Sequence, residues 1–109
     1  AELPKASPTR LLELAERLGS NKAAIPPILD ILRLAFRDAM LVAVGAAPEQ
    51  LTFRTASGAL AQLTPESAVS ALRYIDDADA ALRRNINPRM LSEHLIFGLR
   101  RSMKGGRYR

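Results

Sequence analysis

Apolar residues recur along most of this chain at intervals of three and four, the spacing that lines one side of an α-helix. Ser7-Pro8 opens the first run, a capping hydroxyl followed by proline at a position where its missing N–H costs nothing. Leu11, Leu12, Ala15 and Leu18 follow and Gly19 marks a stop, so the pattern predicts a helix over about 8–18. A second helix is predicted over about 22–44, with Ser20 or Asn21 as its cap. Pro26-Pro27 must lie in its first turn or start it afresh. Beyond the prolines, Ile28, Leu29, Ile31, Leu32, Leu34, Ala35, Phe36, Ala39, Met40, Leu41 and Val42 leave only Asp30, Arg33 and Arg37 as a polar stripe. A helix apolar on most sides is expected to be surrounded by others. Residues 28–44 therefore read as a central rod, roughly 29 Å long from the prolines to Gly45.

Residues 45–54, with Gly45 and Pro48, read as a loop that returns Leu51 and Phe53 to the bundle. A short third helix over about 55–63 is weakened by Gly58. Thr64-Pro65-Glu66 repeats the start signal, with an acid in the positive first turn. Val69, Leu72, Ile75, Ala78 and Leu82 form one stripe of a fourth helix ending near Arg84, and Asp76, Asp77 and Asp79 crowd its other side. Asn85-Ile86-Asn87-Pro88 is a tight corner in which Asn87 caps a fifth helix. Leu91, Leu95, Leu99 and Met103 carry that helix to about residue 103. No strand alternation is present. The expected fold is all-α: a single bundle of about five helices around a long central apolar one. Its ordered core would span about 8–103, with 104–109 as a basic, flexible tail.

Composition agrees with one helical domain. The 109 residues suffice for a single core, 48% of them are apolar, and Leu, Ala and Ile outweigh the aromatics. With no cysteine there are no disulfides or thiolate ligands, which fits a cytoplasmic protein. The most apolar stretch, 39–47, is far short of the roughly 20 residues that a bilayer span needs. The chain begins Ala-Glu-Leu-Pro, without a charged-then-apolar leader, and reads as a C-terminal fragment of a longer polypeptide.

Charge changes the picture only where it is concentrated. The formal charge is +5, and five cations (Arg100, Arg101, Lys104, Arg107, Arg109) follow residue 99 without an acid among them. Residues 1–99 hold eleven basic and eleven acidic residues, so the body is neutral. Cations at a helix C-terminus complement the macrodipole. A small nucleic-acid-binding module using this basic end is the alternative reading.

Chemistry finds no foothold. Lys104-Gly105-Gly106 has the wrong order for a phosphate-binding loop, and no strand leads into it. The single histidine, His94, lies mid-helix beside Glu93 with no serine spaced to use it as a base, and reads as a half-exposed packing residue. One His without Cys makes no zinc site. Asp76, Asp77 and Asp79 lie on a helix rather than in a loop that could wrap calcium, with Arg73 and Arg83 nearby, and read as a solvated acidic face. A helix-turn-helix over 59–74 would aim Pro65, Glu66 and Ser67 at bases, followed by three aspartates that phosphates repel. No catalytic, cofactor, metal or small-molecule site is expected. What remains is a set of polar residues set against apolar helices: Arg37, Asp38, Asn85, Asn87 and Glu93. They read as a network pinning the rod to the last helix pair.

Taken together, Phe36-Arg37-Asp38 on a long apolar helix and the later run Leu82, Asn85, Asn87, Glu93, Leu95 and Leu99 resemble a known pattern. The chain is similar, over most of residues 10–103, to the C-terminal domain of the delta-prime subunit of the bacterial DNA polymerase III clamp loader. The gamma/tau subunit has a related domain. Ser92-Glu93-His94 departs from the more apolar flanks usual in that family, and the tail from Gly105 has no counterpart there. The resemblance implies a non-catalytic collar domain of an AAA+ chain. Such domains hold the loader ring together during DNA replication while the ATPase modules act on the sliding clamp. It implies partners of the gamma/tau and delta type, no ATP, DNA or membrane contact from this domain, and a cytoplasmic location. Arg73, Arg83, Arg84 and Arg89, opposite the predicted core stripe, are the candidate subunit contacts.

Overall fold

The computed structural model describes residues 7–45 and 62–105. Every regular element among them is helical. In chain order these are α1 (Pro8–Gly19), a 3-10 turn (Lys22–Ala24), α2 (Ile25–Ala43), α3 (Pro65–Arg83) and α4 (Pro88–Met103). The all-α class is as expected, with four α-helices among the described residues where five were predicted. The predicted short helix over 55–63 lies almost wholly outside the described residues, and 62–63 at its end are not α-helical.

The helix starts follow the punctuation of the sequence. The Ser7 hydroxyl accepts the Arg10 N–H at 3.2 Å, the Thr64 hydroxyl accepts the Ser67 N–H at 3.1 Å, and Pro8 and Pro65 open their helices. Asn87 Oδ1 accepts from Arg89 N at 2.8 Å and Met90 N at 3.3 Å, ahead of Pro88. Each cap satisfies N–H groups that have no partner within the helix. The second helix takes the other course open to it. Lys22–Ala24 forms a separate 3-10 turn, and α2 starts afresh with Pro26 and Pro27 in its first turn, without a side-chain cap. At the far end of α4, Gly105 adopts φ +86 and closes the helix in the left-handed region open to glycine.

Packing order departs from expectation as well. α1 lies against α4, α4 against α3, and α3 against α2, so the sequence α1–α4–α3–α2 runs across the domain. Among the described elements the middle positions belong to α3 and α4, and the apolar α2 lies at the edge. Its buried apolar residues are Ile25, Leu29, Phe36 and Ala39, which join Ala71, Ile75 and Ala78 of α3 and Leu91, Leu95 and Leu99 of α4 in one core. Burying a side chain such as Leu95 or Ile75 contributes about 1.5–3 kcal/mol. Away from that core, Ile31 is 58% and Leu34 38% exposed. The expectation of a rod sheathed all round is corrected accordingly.

The physical reason lies in α3 and α4, which reach the middle through small side chains. On α3 the buried set is Ser67, Ala68, Ser70, Ala71, Tyr74, Ile75 and Ala78, while Val69 of the predicted stripe is exposed. Gly98 of α4 lies beneath the Tyr74 ring, and a Cβ there would come within 2.7 Å of Cε1 and closer still to its neighbours. Ser70 and Ser102 share a buried hydroxyl–hydroxyl hydrogen bond of 2.8 Å, and Ser102 also donates to the Gly98 carbonyl at 3.0 Å. Gly19 belongs to the same device. It falls within the last turn of α1 rather than beyond it, and a Cβ would stand 2.7 Å from Arg89 Cα, so the glycine permits the α1–α4 approach. Leu12, one of the residues that marked α1 by its helical spacing, is exposed.

Candidate functional site

The polar residues singled out in the sequence occupy two separate places. Arg37 and Asp38 lie in the second half of α2. Arg37 is exposed, whereas Asp38 is only 2% exposed and engaged in a polar contact, as a buried carboxylate must be. Asn85, Asn87 and Glu93 gather at the α3–α4 corner. Asn85 takes φ +58, the left-handed geometry that asparagine tolerates better than most residues, and its Oδ1 lies 3.5 Å from Lys22 Nζ. Asn87 is the α4 cap described above, and Glu93 pairs with Arg89 at 3.4 Å. Through Asn85 the corner thus reaches the turn before α2.

A salt-bridge link between α2 and α3 is made by a residue that the sequence offered only as part of a stripe. Arg33 reaches Asp76 at 3.1 Å and Asp79 at 3.6 Å, with Asp30 of its own helix at 3.7 Å, and Arg83 closes on Asp79 at 2.9 Å. The acidic side of α3, read as a solvated face, therefore receives a cation from the neighbouring helix. Among the described residues no group of three His, Asp or Glu side chains is placed to hold a metal ion. His94 is exposed, stands edge-on to Tyr74 with ring centres 5.4 Å apart, and has Asp77 Oδ2 3.5 Å from its Nε2.

The four candidate subunit contacts are all exposed on the α3–α4 pair. Arg83 and Arg89 are held by carboxylates one helical turn away, and Arg73 too is engaged in an interaction. The face of α4 leading to its C-terminus holds a feature not singled out beforehand. Among the described residues, Phe97, Arg100, Arg101 and Lys104 line a shallow, largely open cleft of about 420 Å³. Their spacing of i, i+3, i+4 and i+7 was legible in the sequence as a stripe on one helical face. Arg100 Nε is buried there with no acceptor among the described residues.

Over its described residues the fold is an all-helical domain in which small residues bring the two middle helices close together. It matches no protein-family model, and no curated protein or solved structure matches it either. No helix among the described residues is long and apolar enough to cross a membrane.

Proposed function

We propose that this chain is a non-catalytic oligomerisation domain of the clamp-loader collar kind, joining sister subunits of the gamma/tau and delta type in a replication assembly. The observation that carries the reading is the edge position of α2. Ile31 and Leu34 remain exposed on the most apolar helix, and apolar surface left open on a rigid helix is what neighbouring helices bury in an assembly. Further support comes from the exposed arginines of the α3–α4 pair, since arginine is enriched at protein interfaces. The sequence resemblance over residues 10–103 supplies the kind of partner.

The test is assembly. The chain is co-expressed with gamma/tau- and delta-type subunits, and complex formation is followed by size-exclusion chromatography. Ile31→Asp with Leu34→Asp is expected to abolish co-elution while the helical circular-dichroism signal is kept. Alanine at Arg73, Arg83, Arg84 and Arg89 together is expected to weaken it. Undiminished co-elution of both variants would remove the proposal.

A further inference from the structure

We propose that the cleft lined by Phe97, Arg100, Arg101 and Lys104 binds single-stranded nucleic acid, its cations taking backbone phosphates and Phe97 offering a ring to a base. This inference stands apart from the assembly role, because it concerns a different face and a different ligand.

The cleft combines features that a plain solvated helix end would not bring together. Its three cations stand one helical turn apart or less on a single face, over roughly 10 Å of helix axis between Phe97 and Lys104. None of them pairs with a carboxylate among the described residues, although Arg10, Arg33, Arg83 and Arg89 all do. The macrodipole of α4 favours cations at this end. It does not, however, account for the half-buried Arg100, whose Nε has no acceptor among the described residues and whose terminal guanidinium nitrogens are the groups left to meet an anion. Guanidinium groups match the fork of phosphate oxygens, and the ligand class is anionic on that ground.

Phe97 narrows the class further. An aromatic ring set among cations is the arrangement by which proteins bind single strands, stacking on bases while the cations follow the backbone. Duplex bases are already stacked on one another and would leave the ring unused. An acidic peptide would satisfy the cations but would gain nothing specific from the ring. The surrounding charge acts in the same direction: five cations without an acid over residues 100–109, against a neutral body, concentrate the attraction at this end of the molecule.

The full 109-residue chain is titrated against fluorescein-labelled oligo-dT, the same sequence as a duplex, and a labelled poly-glutamate peptide, each over a range of salt concentrations. The expected result is preference for oligo-dT, with a log–log salt dependence that loses about two units of slope in the Arg100→Ala/Arg101→Ala/Lys104→Ala variant. Phe97→Leu keeps apolar bulk but removes the ring, and is expected to weaken oligo-dT binding roughly tenfold while leaving poly-glutamate binding unchanged. A chain ending at Gly105 is expected to keep most of the affinity. The inference is overturned if the wild-type chain binds no oligo-dT at low salt or binds poly-glutamate equally well. Loss of binding with the tail alone, or indifference to Phe97→Leu in a variant that melts like wild type, would overturn it too.

Discussion

The Tyr74 ring of α3 lies directly over Gly98 of α4, close enough that glycine is the one residue that fits beneath it. This contact sets the separation of the two middle helices, and the Ser70–Ser102 hydrogen bond sits one turn further along the same seam. Gly98→Ala is therefore expected to destabilise the domain by about 1–3 kcal/mol, the usual cost of overpacking a close contact. Tyr74→Leu in the same chain is expected to relieve part of that loss. A double-mutant cycle by urea denaturation should return a coupling of about 1 kcal/mol or more, and strict additivity would show that the two residues do not constrain each other.

Adjacent residues on α2 should behave in opposite ways. Asp38 is buried and engaged in a polar contact, whereas Arg37 is exposed. Asp38→Ala is expected to cost about 1–3 kcal/mol, because the group it engages is left without its partner. Arg37→Ala is expected to fall within about 0.5 kcal/mol of wild type. Chemical melts of the two single variants distinguish them.

The α3–α4 corner depends on two asparagines for different reasons. Asn87→Ala removes the acceptor for two backbone N–H groups and is expected to cost about 1 kcal/mol. At Asn85 the backbone conformation is what matters. Asn85→Ala places a Cβ at φ +58 at a cost of about 1 kcal/mol, while Asn85→Gly is expected to be nearly neutral. Thermal unfolding of the three variants checks the order, and equal losses for Ala and Gly at position 85 would refute the conformational account.

The Arg33 bridge joins α2 to α3 at a half-exposed position, so water and salt screen it. Arg33→Ala is expected to lose less than about 1 kcal/mol at low salt, and the difference from wild type should shrink further in high salt. Urea melts at the two salt concentrations measure this directly.

Ser92 is fully buried on α4 with its hydroxyl unpaired among the described residues. Ser92→Ala removes a polar group that has no partner there and is expected to leave stability unchanged or to raise it slightly. A clear loss in thermal unfolding would show that the hydroxyl is satisfied in solution.

Local chemistry was legible from the residues alone. A Ser, Thr or Asn followed by proline announced α1, α3 and α4, because a side-chain acceptor and a residue lacking N–H both answer the open backbone groups of a first turn. The tight corner over residues 85–88 and the helix stripes through Ile75, Leu91, Leu95 and Leu99 followed from the same kind of reasoning, whereas the left-handed backbone of Asn85 was not foreseen. So did the exposure of the four arginines on the last helix pair. The Phe97 stripe could have been found by the same spacing rule, but its residues carried the plainer meaning of a charged helix end.

Which helix lies in the middle was decided only by the tertiary structure. Hydrophobicity counts how much apolar surface a helix offers, and by that count α2 belonged at the centre. Burial depends equally on how closely helices approach, and Gly19, Gly98 and the Ala and Ser residues of α3 allow α4 to lie tight against both α1 and α3. Small residues read as weak signals in one dimension because their effect is the space they leave for a partner distant in the chain. That space moved α2 to the edge and left Ile31 and Leu34 exposed.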